Sequence, residues 1–376
     1  MNFKKENLFL GDGYDCYRIP SIVSTKRGTV VAFCNSRIGT YADHASTSTL
    51  VMRRKESSGN WGDIVTLSGY PGWSMMIGSA VYDPATDKIM CFYGKKAISQ
   101  NEFAAKLSEE DYEAAVRRKE EKDGIYQGNY IVESLDDGKT WTERKISVEP
   151  NFLGLVGLTH GSAPGAALKN GEHKGRLVCP ARSVLHPYTT WDEARKACIN
   201  TVIISDDHGA TWKTGGVVQR GTGEGTLAEL SDGTIYYNSR SLYEDHYRYT
   251  GYSYDGGITF RDFGVADTLI DSLRPVNGCN ASLLSVEKKD GSIVLLFANP
   301  RHKTERANMT ICVSMDEGRS WDVCKSISPQ YAAYSSMCYS EATKLVTLFY
   351  ECGDKWPYNG LDVVEFSLEE LLEECT

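Results

Sequence analysis

The chain has 376 residues, of which 41% are hydrophobic and 24% charged, as in an ordinary soluble globular protein. Its 41 Lys and Arg residues are outnumbered by 50 Asp and Glu residues, which gives a net charge of -9. This acidic balance argues against a nucleic-acid partner, and an anionic ligand would need a local cluster of basic residues. Since no apolar run is long enough for a transmembrane helix, we expect no membrane span.

The beginning of the chain has no apolar stretch of the kind found in export signals. We therefore expect a cytoplasmic protein, or a secreted one if a signal has been removed. The 11 cysteines include no CxxC pair, and most lie in apolar surroundings, which favours buried free thiols over disulfides. The 7 histidines show no metal-binding spacing, so we expect no metal and no cofactor.

Short apolar runs follow one another along almost the whole chain. The clearest are residues 21–23, 29–33, 89–93, 201–204 and 293–297. Asp-Gly and Asn-Gly steps between such runs suit the positive φ angles of tight hairpins. The pattern predicts an all-β protein. We expect residues 1–376 to form a single catalytic domain, without a separate lectin or membrane domain.

One segment, residues 101–123, departs from this pattern. Ala, Glu, Lys and Arg dominate it, and its apolar residues fall at roughly helical spacing. Ser108 followed by Asp111 is a plausible helix start. We predict a helical insertion between strands, which is either a surface decoration or a lid over the site. Residues 368–374 predict a final short helix.

A repeated motif organises the β segments. The pattern Ser-x-Asp-x-Gly-x-(Thr/Ser)-(Trp/Phe) occurs at residues 134–141, 205–212, 253–260 and 314–321, with a worn copy at 56–61. Ser and Asp can bind turn amides, Gly can adopt the left-handed conformation, and the aromatic residue can pack between sheets. One such hairpin per β unit indicates radial repetition, as in a β-propeller. The Asp residues are interpreted as turn formers and not as catalysts.

These repeats resemble the Asp-boxes of sialidases and other propellers, and further motifs narrow the resemblance to sialidases. Tyr-Arg-Ile-Pro at 17–20 is similar to the family motif that carries its first arginine. The segment from Glu224 to Arg240 resembles the family's Glu-bearing strand and second arginine. Arg306 stands where the third is expected, and Ala-Tyr-Ser-Ser at 333–336 resembles the motif of the nucleophile. The resemblance covers residues 17 to about 366 and implies a six-bladed propeller with a central site.

The resemblance implies that Arg18, Arg240 and Arg306 bind the carboxylate on the anomeric carbon of a sialic acid. Arginine suits this task because its planar fork matches a carboxylate by paired hydrogen bonds. Sialidases use a Tyr nucleophile where other retaining glycosidases use a carboxylate. Tyr334 is the candidate, because a neutral phenol avoids repulsion by the substrate's charge.

A phenol needs a base, since its ordinary pKa is about 10. Glu224 is the candidate base for Tyr334, and Glu229 is a rival whose position fits pairing with a basic side chain. By family likeness the acid/base is Asp43, on the loop after the first arginine, with the adjacent His44 as the alternative.

Three further residues are expected to support the site. Arg37 helps to hold the substrate carboxylate region or the loop, and Glu351 orients Arg18. Met76 lines a possible N-acyl pocket, although a core methionine is an equally good interpretation.

Together these features predict a retaining exo-sialidase that hydrolyses terminal α-linked sialic acids through a covalent sialyl-tyrosine. The expected partners are sialoglycoproteins, gangliosides or sialyl-oligosaccharides, and the expected state is a monomer or weak oligomer. One alternative is a trans-sialidase, which transfers the sugar to another acceptor or to its own glycerol hydroxyl. The other is a non-catalytic Asp-box propeller that binds glycans.

Overall fold

The protein is nearly all-β, with 53% of its residues in strands. The computed structural model describes residues 3–12, 15–43, 47–97, 108–184, 197–220, 224–241, 245–272, 278–321 and 323–373. Within this part, the strands form five sheets arranged as a β-propeller in which four blades are clearly defined. No helix in the described part is long and apolar enough to cross a membrane.

The chain begins with strand β1 (Lys4–Leu10) and then builds two antiparallel four-stranded sheets. The first sheet consists of β2 (Cys16–Ser24), β3 (Val30–Arg37), β4 (Ser48–Lys55) and β5 (Val65–Ser68). The second consists of β6 (Ser74–Asp83), β7 (Lys88–Lys96), β8 (Gly128–Ser134) and β9 (Thr142–Ile146). Each strand in these sheets pairs with its neighbour in sequence.

The third sheet has six strands and the fourth has four. The third contains β10 (Val148–Glu149), β11 (Leu158–Thr159), β12 (Ala166–Ala167), β13 (Leu177–Val184), β14 (Cys198–Ser205) and β15 (Trp212–Arg220). Its order is β10-β15-β14-β13-β11, and β12 also pairs with β13. The fourth contains β16 (Gly225–Glu229), β17 (Ile235–Ser239), β18 (Arg248–Ser253) and β19 (Arg261–Ala266).

The fifth sheet has seven strands and closes the ring. It contains β20 (Ser282–Glu287), β21 (Ile293–Pro300), β22 (Ala307–Ser314), β23 (Val323–Ser340), β24 (Leu345–Gly353) and β25 (Gly360–Ser367). Its seventh strand is β1, which pairs antiparallel with β25. The first strand of the chain therefore covers the edge of the last strand, whose backbone hydrogen-bonding groups would otherwise be unpaired.

The hydrophobic core lies between neighbouring sheets. One cluster joins Val81, Met90 and Phe92 of the second sheet to Cys179 and Ile203 of the third. Similar clusters join the other sheets, so each sheet is held by apolar contacts on both faces.

The four repeats form the turns that the sequence predicts. In the copy at 205–212, Asp207 accepts from the Thr211 amide at 2.9 Å and the Thr211 hydroxyl at 2.6 Å. The Ser205 hydroxyl accepts from the amide of Gly209, which has φ +80°. Corresponding bonds occur in the other three copies. The Asp side chains therefore stabilise the turns through these hydrogen bonds.

The helical insertion is confirmed for its second half. Helix α1 (Glu109–Asp123) begins at Ser108, whose hydroxyl accepts from the Asp111 amide at 3.1 Å, and ends at Gly124. The Trp73 indole donates to Asp123 at 2.8 Å and so attaches the helix to the second sheet. Residues 101–107 lie outside the described part. The final helix, α2 (Leu368–Glu373), is also confirmed.

The prediction that the cysteines are free thiols and not disulfides is wrong for one pair. Cys312 and Cys324 form a disulfide because they are opposite each other on β22 and β23, with Cα atoms only 4.1 Å apart. The other eight described cysteines are buried, as the apolar surroundings predict, and form no disulfide with another described residue.

Candidate active site

Arg18 lies at an irregularity in β2. The pairing of β2 with β3 shifts between Arg18 and Ser21, and Ile19 has φ +60°. A β-branched residue rarely adopts this angle, because its Cβ crowds the backbone. The Ile19 amide donates to a Glu351 oxygen at 2.9 Å, which stabilises the strained turn.

Glu351 is completely buried on β24 and holds Arg18 in place. Its carboxylate accepts from Nε and Nη2 of Arg18 at 2.8 and 3.3 Å. It also accepts from the Tyr334 amide at 3.1 Å, where the pairing of β23 with β24 is irregular. Glu351 therefore lies beside Arg18, where its orienting role stays a prediction, and the same carboxylate also binds the backbone of Tyr334.

Tyr334 and Glu224 form the closest pair in the site. The Tyr334 hydroxyl lies 2.5 Å from Oε1 of Glu224 and 3.2 Å from Nη1 of Arg240. Arg240 Nη1 also donates to Oε2 of Glu224 at 2.7 Å. All three side chains are at most 8% exposed.

The charges around this pair set its protonation state. Burial raises the pKa of Glu224, but Arg240 and the other neighbours outweigh burial and lower it to about 2. Burial and the Glu224 charge raise the pKa of Tyr334 well above its usual value. At neutral pH the resting site therefore holds a carboxylate beside a neutral phenol.

Arg306 completes the set of three buried arginines. Its guanidinium donates to the Tyr358 hydroxyl at 2.9 Å and to the Gly278 carbonyl at 3.0 Å. It also lies 5.4 Å from the centre of the Tyr334 ring, and Arg18 lies 5.6 Å from the same ring. In the described part of the chain Arg306 has no carboxylate partner, so its charge is available to an anion.

Asp43 lies at the open side of the site, with 53% of its side chain exposed. One oxygen accepts from Arg18 at 2.9 Å and from Arg37 at 3.0 Å. The partial burial of this carboxyl opposes its ionisation, but the two arginines outweigh it and hold the pKa of Asp43 well below its usual value. The Tyr41 carbonyl also accepts from both arginines, at 3.2 and 2.7 Å, so Arg37 holds the loop as well as its carboxylate.

His160 also lies in the site, although no sequence motif marks it. Its Nε2 lies 3.6 Å from Oε1 of Glu224. Burial and the nearby Arg182 charge lower its pKa to about 3, so the ring is neutral at pH 7. The next residue, Gly161, has φ +88°, and a Cβ there would lie 2.0 Å from Nδ2 of Asn280.

Asn280 is 1% exposed, and within the described residues neither of its amide atoms has a hydrogen-bond partner. Such an amide is costly to bury unless a ligand or water satisfies it.

The structure brings together eight of the nine residues predicted for the site. They are Arg18, Arg37, Asp43, Glu224, Arg240, Arg306, Tyr334 and Glu351. Met76 is half-buried on β6, whereas its neighbour Met75 occupies the core, so the N-acyl assignment remains a prediction. The rival base Glu229 binds the amides of Lys169 and Asn170, not a basic side chain.

His44, the alternative acid, lies outside the described residues. Tyr358, which was not predicted from the sequence, contacts two of the arginines. Its hydroxyl accepts from Arg306, and the Arg18 guanidinium lies 4.0 Å from its ring centre. No motif surrounds Tyr358 in the sequence, so only the fold could reveal it.

The fold and the site define a β-propeller whose centre is lined with buried arginines around a tyrosine–glutamate pair. Residues 28–346 match the family model described as a BNR repeat-like domain, and the chain belongs to this family. The chain is also similar to sialidases, which are glycoside hydrolases.

A sialidase from Micromonospora viridifaciens is 30% identical over 95% of this chain, but the chain spans only 52% of that relative. Sialidase-2 of Mus musculus is 25% identical, with 89% of this chain and 87% of the relative covered. The solved structure of the Hadza microbial sialidase Hz136 has a TM-score of 0.76 at 20% identity, covering 97% of this chain and 69% of that one. The last comparison supports the fold.

Proposed function

We propose that the chain is a retaining exo-sialidase that releases terminal α-linked sialic acids from sialoglycoproteins, gangliosides or sialyl-oligosaccharides. The observation that carries this proposal is the Tyr334 hydroxyl, 2.5 Å from the Glu224 carboxylate and surrounded by three buried arginines. A buried phenol with its own carboxylate suits attack on a carbon that bears a negative group.

The arginines are assigned to the anomeric carboxylate of the substrate. Arg18 and Arg240 are held by Glu351 and Glu224, whereas Arg306 has only neutral partners in the described part of the chain. Burial makes unpaired charge costly, so a bound carboxylate would stabilise Arg306 strongly. The three forks would also fix the orientation of the sugar over Tyr334.

In the first step the Tyr334 oxygen attacks the anomeric carbon while the glycosidic C–O bond breaks. The phenol proton moves to Glu224, and Asp43 donates a proton to the leaving oxygen. Since the phenol is neutral and Glu224 ionised at rest, the phenol loses its proton as it attacks, not beforehand.

Asp43 must carry a proton for this step, although Arg18 and Arg37 keep it ionised in the empty site. The substrate carboxylate would take up the Arg18 donor that Asp43 now uses. Losing that contact and gaining a nearby negative charge both raise the pKa of Asp43. Substrate binding would thus prepare the acid.

In the second step water attacks the sialyl-tyrosine, and the bond between Tyr334 and the sugar breaks. Asp43, now ionised, takes the proton of the water, and Glu224 returns the proton to the phenol. Two displacements at one carbon give overall retention. If another hydroxyl replaces water, the same residues catalyse transfer, which is the alternative outcome.

We also propose that the propeller has six blades within a single catalytic domain. Strand β23 pairs with β22 through residues up to Tyr331 and with β24 from Tyr331 to Ser340. This long strand would therefore serve two blades, one with β20–β22 and the other with β24, β25 and β1.

The test is turnover of a fluorogenic α-sialoside, followed by NMR of the products of sialyllactose. We expect cleavage with the α-anomer of free sialic acid formed first. An anhydro sugar or a transferred product would show that the protein catalyses transfer and not hydrolysis. Binding of sialosides without any turnover would instead favour the non-catalytic propeller.

A further inference from the structure

Basic residues recur near the carboxyl ends of strands around the central site. In each of the first four sheets, one strand carries such a residue within its last three residues or directly after its end. These residues are Arg37 on β3, Lys96 on β7, Arg182 on β13 and Arg240 after β17. Arg37 and Arg240 belong to the site described above. Lys96 and Arg182 occupy the corresponding places on the second and third sheets, where no role has been assigned.

Lys96 and Arg182 come from sheets that pack directly together. The Ser79 hydroxyl of β6 donates to the Pro180 carbonyl of β13 at 3.5 Å. Gly78 lies so close to Thr159 that a Cβ there would be 2.1 Å from its hydroxyl. His160 follows Thr159 and contacts Glu224, so this junction of the two sheets borders the catalytic pair.

The two charges are not neutralised by any residue that the structure describes. Lys96 and Arg182 are half-buried, and neither has a carboxylate partner in the described part of the chain. The adjacent Lys95, by contrast, forms an ion pair with Glu143 at 2.9 Å. Burial lowers the pKa of Lys96 to about 8, and the Arg182 charge acts in the same direction.

The position of these cations in the ring indicates what they could contact. Arg306, Tyr334 and Glu351 come from the fifth sheet, which neighbours the first and fourth sheets. Lys96 and Arg182 come from the second and third sheets, on the opposite side. A sugar whose anomeric carboxylate lies against the arginines would direct its far side, or the group attached to it, towards them.

We propose that Lys96 and Arg182 form a second anion subsite, which binds a sulfate, phosphate or carboxylate that the substrate carries besides its anomeric carboxylate. This inference rests on the proposed sialidase function and names a substrate class for it. The second anion can come from two sources. It is either a charged ester on the glycerol side chain of the terminal sialic acid or the carboxylate of a second sialic acid.

The test compares kcat/KM for three substrates: an unsubstituted α-sialoside, its 8-O-sulfo derivative and an α2,8-linked disialoside. For at least one anionic substrate we expect about tenfold higher kcat/KM, as one charge-assisted hydrogen bond would give. Lys96→Met and Arg182→Met should reduce this ratio to about one. Lys139→Met removes an exposed charge from a turn of the same sheet as Lys96 and should preserve the ratio.

Each outcome separates the two proposals. Cleavage of the unsubstituted sialoside with equal kcat/KM for all three substrates overturns the subsite and leaves the sialidase proposal intact. A preference that persists in well-folded Lys96→Met and Arg182→Met places the anion elsewhere and also overturns it. No cleavage of any substrate overturns the proposed function itself.

A second measurement with wild-type protein covers the case in which the variants do not fold. Inorganic sulfate should inhibit cleavage of the preferred anionic substrate more strongly than cleavage of the unsubstituted one, at equal ionic strength. Equal inhibition contradicts the subsite. The identity of the preferred substrate tells whether the anion belongs to the glycerol side chain or to the second sugar.

Discussion

Tyr334 is the residue at which the proposed chemistry can be tested most directly. Tyr334→Phe removes only the hydroxyl that contacts Glu224 and Arg240, and these two remain paired with each other at 2.7 Å. We expect kcat to fall by about a thousandfold or more with little change in Tm, because the nucleophile is lost while the ion pair remains. Steady-state kinetics and a melting curve measure both.

The matched control is Tyr339→Phe, on the same strand but half-exposed and outside the site. It should retain wild-type kcat. If Tyr334→Phe also keeps full activity, Tyr334 is not the nucleophile.

At the residue scale, the sequence identifies side chains that lie within recognisable motifs. Arg18, Arg240 and Tyr334 were predicted because their neighbours in sequence form patterns. His160 and Tyr358 were missed because their importance depends on which strands become neighbours, not on adjacent residues. The pairing of Asp43 with two arginines could not be predicted either, since it depends on the loop conformation.

The loop before β12 shows how backbone conformation supports the site. Gly161→Ala would place a Cβ 2.0 Å from Asn280 Nδ2 and 3.4 Å from Glu224 Cγ. We expect kcat/KM to fall at least about tenfold, because Asn280 must move and Glu224 is crowded.

Gly154→Ala is the control, because Gly154 also has positive φ but has no atom within 4 Å of the added Cβ. Both variants should lose about 1 kcal/mol from the strained backbone, so only Gly161→Ala should lose activity. Equal activity losses would show that backbone strain, not contact with Asn280, is responsible.

The repeat turns should make the stability of the protein depend on pH in the acidic range. Burial opposes ionisation of Asp207, but the Thr211 hydrogen bonds outweigh it and lower its pKa to about 2, below the unfolded value of about 3.9. The ionised form therefore contributes stability above about pH 4, and this contribution is lost as the pH falls towards 2.

Asp207→Asn should therefore lower Tm most at neutral pH, and the difference from wild type should shrink on acidification. Melting curves from pH 7 to pH 2.5 measure this difference. Lys213→Gln, on the strand that follows the same turn, is the control, because it removes a charge without removing a turn acceptor. A difference for Asp207→Asn that is constant with pH would contradict the account.

At the scale of the whole molecule, the sequence predicts the class of fold better than its details. Apolar runs of strand length and repeats at 134–141 or 314–321 predict an all-β propeller, because both are local patterns. The pairing of β1 with β25 and the Cys312–Cys324 disulfide could not be predicted. Each depends on which distant strands pair and in what register, and no local pattern specifies this.

Strand β1 closes the ring through an aromatic contact as well as through its pairing with β25. Phe9 is 1% exposed and packs on Phe349 of β24 at 5.9 Å and on Tyr17 of β2 at 5.2 Å, so it connects the last sheet to the first. Phe9→Ala should reduce the free energy of unfolding by about 3–5 kcal/mol, measured by urea denaturation. Leu10→Ala, on the same strand but 70% exposed, should change it by less than about 0.5 kcal/mol. If the two variants were equally stable, closure would depend on the backbone pairing of β1 with β25 and not on this aromatic contact.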